Sequence, residues 1–99
     1  MKEIHCVVVH TPGPMWRAGA PLFEQDGVRE HVAHYRQLLE AGKLTMGGPF
    51  LDAAGGGMMI AEVGADEAEL VAFANADPAV QSGLLRAEVR QWLVGMRKD

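Results

Sequence analysis

Val28-Arg29-Glu30-His31-Val32-Ala33-His34-Tyr35-Arg36-Gln37-Leu38-Leu39-Glu40-Ala41-Gly42-Lys43-Leu44-Thr45-Met46-Gly47-Gly48-Pro49-Phe50 is the stretch that decides the fold. With residues placed at 100° intervals, Val28, Val32, Tyr35, Leu38 and Leu39 form one apolar stripe. Arg29, Glu30, Ala33, Arg36, Gln37 and Glu40 fall on the other side. The spacing predicts a helix over Val28–Ala41, with Gly42 as the residue that ends it. A strand is expected from Lys43 to Leu51, with Leu44 and Met46 on one face and Lys43 and Thr45 on the other. Gly47-Gly48-Pro49 is expected to break or bulge that strand and to let a ligand or another backbone approach. The two histidines of the helix differ. His31 falls inside the apolar stripe and should face the sheet, whereas His34 lies on its flank and should be at least half exposed.

Before this stretch, Glu3 to His10 alternates as a strand, with Ile4, Cys6, Val8 and His10 on one face and His5, Val7 and Val9 on the other. Thr11 to Gly27 is irregular and holds three prolines, three glycines, Trp16 and Phe23. Two readings stand for this long connection: a lid over a pocket, or a loop packed on its own subunit or on a partner. After the stretch, a turn region through Gly55-Gly56-Gly57 returns the chain as a third, antiparallel strand from Met58 to Val63. Those glycines lack a downstream Gly-Lys-Ser/Thr and are not a phosphate loop.

A second helix is expected from Asp66, its cap, with Leu70, Phe73 and Ala74 facing inward. Pro78 stops it, and Asp77-Pro78 reads as the cap and first residue of a short turn ending at Gly83. The last strand, Leu84 to Val94, puts Leu85, Ala87, Val89 and Leu93 on one face and Arg86, Glu88, Arg90 and Trp92 on the other. The order β-α-β-β-α-β is that of an α+β, ferredoxin-like domain with both helices on one sheet face. The other face, with His5, Val7, Val9 and Trp92 among its charges, is too apolar to stay bare, and a homodimer through the sheet is expected.

Ninety-nine residues fit one domain over residues 1–99. A net charge of −4 argues against a nucleic-acid partner. No apolar run is long enough for a membrane span. Met1-Lys2-Glu3-Ile4-His5 has no signal-peptide character, and the single cysteine, Cys6, can form no intrachain disulfide, so a cytoplasmic location is expected. His31 and His34, with His5 or His10, are one conceivable metal set, but no carboxylate–histidine motif or cysteine pair accompanies them. Neither a metal nor an organic cofactor is expected.

The chain resembles the YCII-related (YciI-like) family of small dimeric α/β-barrel proteins. The resemblance lies in His31 followed by Tyr35-Arg36-Gln37-Leu38-Leu39-Glu40-Ala41-Gly42-Lys43-Leu44, then Gly48-Pro49, Gly56-Gly57, Ala76-Asp77-Pro78-Ala79-Val80, Gly83-Leu84 and a closing strand with Trp92. It implies a ferredoxin-like fold dimerising through its sheets and an active site of a histidine and an aspartate, which here are His31 and Asp77. A carboxylate on one ring nitrogen would fix the tautomer and leave the other to move a proton. The residues themselves leave a plainer reading open, with Asp77 only a cap and His31 only a satisfied inner histidine. On the enzymatic reading Trp16, Gly48 and Pro49 shape a substrate pocket and the Tyr35 hydroxyl reaches its edge. The chemistry would be elimination, dehydrochlorination or isomerisation of a small oxygenated compound, aromatic ones included. The alternative is a non-catalytic dimer holding a small ligand.

Overall fold

The structure is a computed structural model that describes residues 2–98. Four strands form one antiparallel sheet: β1 (Ile4–Pro12), β2 (Leu44–Pro49), β3 (Gly57–Ala61) and β4 (Leu85–Leu93), in the order β2-β3-β1-β4. Helix α1 (Val28–Glu40) joins β1 to β2, and α2 (Glu67–Asn75) with the single-turn α3 (Pro78–Gln81) joins β3 to β4. This is the ferredoxin-like arrangement, with the β2–β3 hairpin folded so that β3 pairs with β1.

Alternation along β1 sets the two faces. Cys6 and Val8 point toward the helices and pack with Tyr35, Ala61, Leu70 and Ala74. Burying side chains of this size contributes about 1.5–3 kcal/mol for each large one. His5 and Val7 point the other way, where β4 sets Trp92 opposite His5. The His5 ring is buried (5 % exposed). Nδ1 donates to the Ala61 carbonyl at 2.7 Å and Nε2 lies 2.7 Å from the Glu3 carboxylate. Both partners only accept, so both bonds form together only when the ring is protonated.

Strand β2 differs from its expected form. It runs unbroken through Gly47-Gly48-Pro49, and the irregularity falls earlier, where Leu44 faces Ala61 and Met46 faces Ile60, the next residue of β3. Thr45 is the extra residue of this bulge, so Leu44 and Met46 lie on opposite sheet faces rather than one. Met46 is left 60 % exposed on the helix-free face. Glycine at 47 reflects close packing: a Cβ there would stand 2.2 Å from the Met59 sulfur. The Thr11–Gly27 connection is also more ordered than a plain lid. Gln25 is buried and fastens it, accepting from the Arg17 N–H (2.8 Å) and donating to the Arg17 and Ala20 carbonyls (2.9 and 2.8 Å). A 3-10 turn, Leu22–Glu24, closes it against α1.

Gly56 deserves its residue type twice over. Its φ is +76°, and a Cβ would lie 2.1 Å from the carbonyl oxygen of His10. We expect Gly56→Ala to lower stability by about 2–4 kcal/mol through backbone strain plus the clash. The check is the urea midpoint at unchanged slope; a shift below about 1 kcal/mol would mean that β1 yields at His10 without strain.

Candidate active site

His31 lies one turn into α1, on the face that the apolar stripe turns inward, and is 2 % exposed. Asp77 sits between α2 and α3, with a fully buried side chain. Its Oδ1 accepts the Ala79 N–H at 2.9 Å, capping α3. Its Oδ2 is 2.6 Å from Nδ1 of His31. The cap and the histidine contact therefore coexist, because each uses a different oxygen of one carboxylate. With Nδ1 donating to Asp77, the neutral His31 ring keeps Nε2 as its free acceptor.

Two further side chains complete a buried cluster. His10 comes from the end of β1, its Nε2 3.9 Å from Asp77 Oδ2 and 3.3 Å from the Tyr35 hydroxyl. The His10 and His31 rings meet edge to face with centroids 4.9 Å apart. Burial first, then repulsion from His31, pushes His10 down to about 4, against the pull of Asp77. His10 is thus neutral near pH 7. Burial, reinforced by the Asp77 charge, raises Tyr35 far above the ordinary phenol range, so its hydroxyl keeps its proton.

His10, His31 and Tyr35 face a cavity of about 480 Å³ between α1 and the β2–β3 edge of the sheet. That is within the usual range for small-molecule sites. Its walls are chiefly apolar, with Leu22 and Phe23 from the 3-10 turn on one side and Met58 and Met59 from β3 on the other. Gly48 and Pro49 line it from β2. Tyr35, Gly48, Pro49 and His31 therefore converge on one space, with Asp77 behind His31. Trp16 is not brought there. It packs instead on the small cluster of Ala79, Leu84 and Leu85, and on Gly55. The loop reaches the cavity through Leu22 and Phe23, whose place only the 3-10 turn reveals.

From the sequence His10 enters only as a conceivable metal ligand, not as part of the catalytic pocket. Its signal was present: it shares the inward face of Cys6 and Val8 and stands just before the stop at Thr11-Pro12. The metal set weighed from sequence does not converge. His34 gives its Nε2 to the Phe73 carbonyl (2.6 Å) and stacks on the Phe73 ring, and His5 is on the other sheet face. The donor atoms that do lie together are those of His10, His31 and Asp77, all within 4.8 Å of one another. Two histidines and a carboxylate could hold a divalent cation, at the expense of the His31–Asp77 hydrogen bond.

The depressed His10 value makes a pH prediction. The folded state binds no proton on His10 until about pH 4, whereas the unfolded chain takes one up near 6.5. The unfolded state holds more protons in that window, so stability falls as pH falls, by about 3 kcal/mol in all. His5 acts in the opposite sense. The Glu3 carboxylate, then the Ala61 carbonyl, raise it above 6.5, so its contribution is fully present below 6.5 and is lost only as pH rises through the folded value. It is flat across the His10 window. Urea unfolding of His10→Gln between pH 7 and 4 should show a shallower acid loss than the parent; parallel curves would contradict the burial argument.

Comparison with known proteins places the chain. The YCII-related domain matches residues 15–93. A solved structure, 5-chloro-2-hydroxyhydroquinone dehydrochlorinase from Burkholderia phenoliruptrix AC1100 in complex with 2,5-dihydroxybenzoquinone, has a similar fold, with a TM-score of 0.63 and 23 % sequence identity. The match covers 88 % of this chain and 92 % of that one. No curated protein matches the sequence. Among the described residues no helix is long and apolar enough to cross a membrane.

Proposed function

The chain belongs to the YCII-related domain family, and from that premise we propose that it is a small-molecule enzyme working by general acid/base proton transfer. The observation that carries the reading is the buried 2.6 Å bond between His31 Nδ1 and Asp77 beside an apolar cavity. His31 Nε2 is the base. It takes a proton from a substrate carbon or hydroxyl, and Asp77 stabilises the imidazolium that results. In an elimination the electron pair left behind forms a double bond and expels the leaving group, chloride in a dehydrochlorination, from the adjacent carbon. In an isomerisation His31 returns the proton to a different carbon. The Tyr35 hydroxyl, kept protonated, hydrogen-bonds a substrate oxygen. The substrate is a small oxygenated ring compound of the kind named for the dehydrochlorinase of similar fold, and no organic cofactor takes part.

The helix-free sheet face supports a homodimer. Met46 and Trp92 are exposed there, 60 % and 45 %, beside the half-buried Val9 and Ile60. Sedimentation equilibrium should return twice the chain mass. The buried, unpaired Cys6 suits the reducing cytoplasm. The functional test is chloride release from chlorinated hydroxyquinols, and absorbance change with hydroxylated rings and lactones, on purified protein. Saturable turnover of one of them supports the enzyme. Saturable binding with no turnover of any compound would instead make the protein a dimeric holder of small ligands.

A further inference from the structure

Beside the histidines, the described residues give the cavity one permanently charged wall residue, Arg36 of α1. Helical spacing put Arg36 on the polar side of α1, and in the folded chain it is exposed, yet it lines the cavity with Val32 and Leu39. Among the described residues no aspartate or glutamate lines the cavity. Among the described residues Arg36 also has no ion-pair partner, the ion pairs being those of Glu3 and Asp77. An unpaired guanidinium at the edge of apolar walls, in a chain of net charge −4, is a local reversal of sign. Arg36 follows His31 by five residues, roughly 7–8 Å along the helix axis, about the length of a substituted six-membered ring.

Resting on the proton-transfer reading of this site, we propose that Arg36 is a specificity residue and that the cavity takes a ring-sized, largely apolar organic anion. The ring lies along the methionine and leucine walls with its reacting end at His31. The anionic oxygen, a carboxylate or an ionised ring hydroxyl, pairs with Arg36 at the mouth. Guanidinium forks suit such oxygens, and apolar walls on one side weaken the competition from water. The anion also adds a negative charge on the cavity side of His31, favouring the imidazolium that Asp77 supports from behind.

The test uses two pairs of probes differing chiefly in charge: 2-naphthoate against 2-naphthamide, and 2,4-dinitrophenolate against 2,4-dinitroaniline. Binding to the whole protein is measured by calorimetry for the parent, Arg36→Met, Arg36→Lys and His31→Gln. At least one anion should bind the parent about tenfold more tightly than its neutral partner. The pair that shows the preference tells whether a carboxylate or an ionised hydroxyl is the recognised group. Arg36→Met should erase the preference while leaving the neutral probe within about twofold, and Arg36→Lys should restore part of it. His31→Gln should keep it, which separates recognition from proton transfer: loss of turnover with the preference intact counts for Arg36 whatever becomes of the base. Equal affinities in the parent, failure of both anions to bind, a preference that survives Arg36→Met, or an equal fall for anion and neutral probe each overturn the proposal.

Discussion

Turnover of a hydroxylated ring substrate by His31→Gln protein is expected to fall about 10²- to 10⁴-fold, the usual contribution of a positioned general base. The reasoning is local. Glutamine has similar length and can still hydrogen-bond Asp77, so the buried carboxylate keeps a partner and the fold survives. What glutamine lacks is a ring nitrogen that can take up a proton and give it back. The loss should therefore appear in kcat far more than in KM, since the cavity walls that bind the ring come from other residues. A variant within threefold of the parent, about 0.7 kcal/mol in barrier, would remove His31 from the reaction. The same preparation should unfold at nearly the parent's urea midpoint, so an activity loss is not misread as a folding loss.

Asp77→Ala should do the reverse and strike stability first, by about 3 kcal/mol. The carboxylate has no exposed surface, and each oxygen serves a different backbone or side-chain donor. Alanine would remove the α3 cap, about 1 kcal/mol, and leave His31 buried without its partner, about 1–3 kcal/mol more. Asp77→Asn separates the two effects. It preserves volume and an oxygen for the Ala79 N–H, so most stability should remain. It withdraws the charge that supports an imidazolium on His31, so turnover should drop while the midpoint scarcely moves. Equal urea midpoints for Asp77→Ala and the parent would mean that the buried carboxylate is not part of the framework.

Much of this arrangement can be read from residue order. Period-2 alternation in Ile4 to His10 and Leu85 to Leu93, and the stripe of Val32, Tyr35 and Leu38, are local patterns that burial imposes on the chain. They suffice for the element order, the two sheet faces and the inward turn of His31. The resemblance carried by Ala76-Asp77-Pro78 brought in Asp77, which composition alone presents only as a cap. What escaped depends on geometry summed over distance. The bulge at Thr45 moves Met46 to the other face, and nothing in Leu44-Thr45-Met46 marks one extra residue. Trp16 was expected at the pocket because it is large and in a loop, but the backbone pairing of Gly13 and Met15 with Leu84 and Gly83 carries it to the α3–β4 corner. The shift of His10 exists only after Tyr35, His31 and Asp77 gather around it, although its place on the inward face was legible throughout.

The turn between β2 and β3 divides the candidate site. His10, His31 and Tyr35 precede Asp52–Ala54, and Asp77 follows it. Leu51, at its edge, is 98 % exposed. A chain opened there would yield two fragments, one with the proposed base and its aromatic neighbours, the other with the carboxylate. Neither could assemble the His31–Asp77 bond alone, since its ends are 46 residues apart. Strand β3, on the second fragment, must insert between β2 and β1 of the first, so reassembly of the sheet and of the proton-transfer pair would be one event. Complementation of the two fragments would thus report folding and site formation with a single signal.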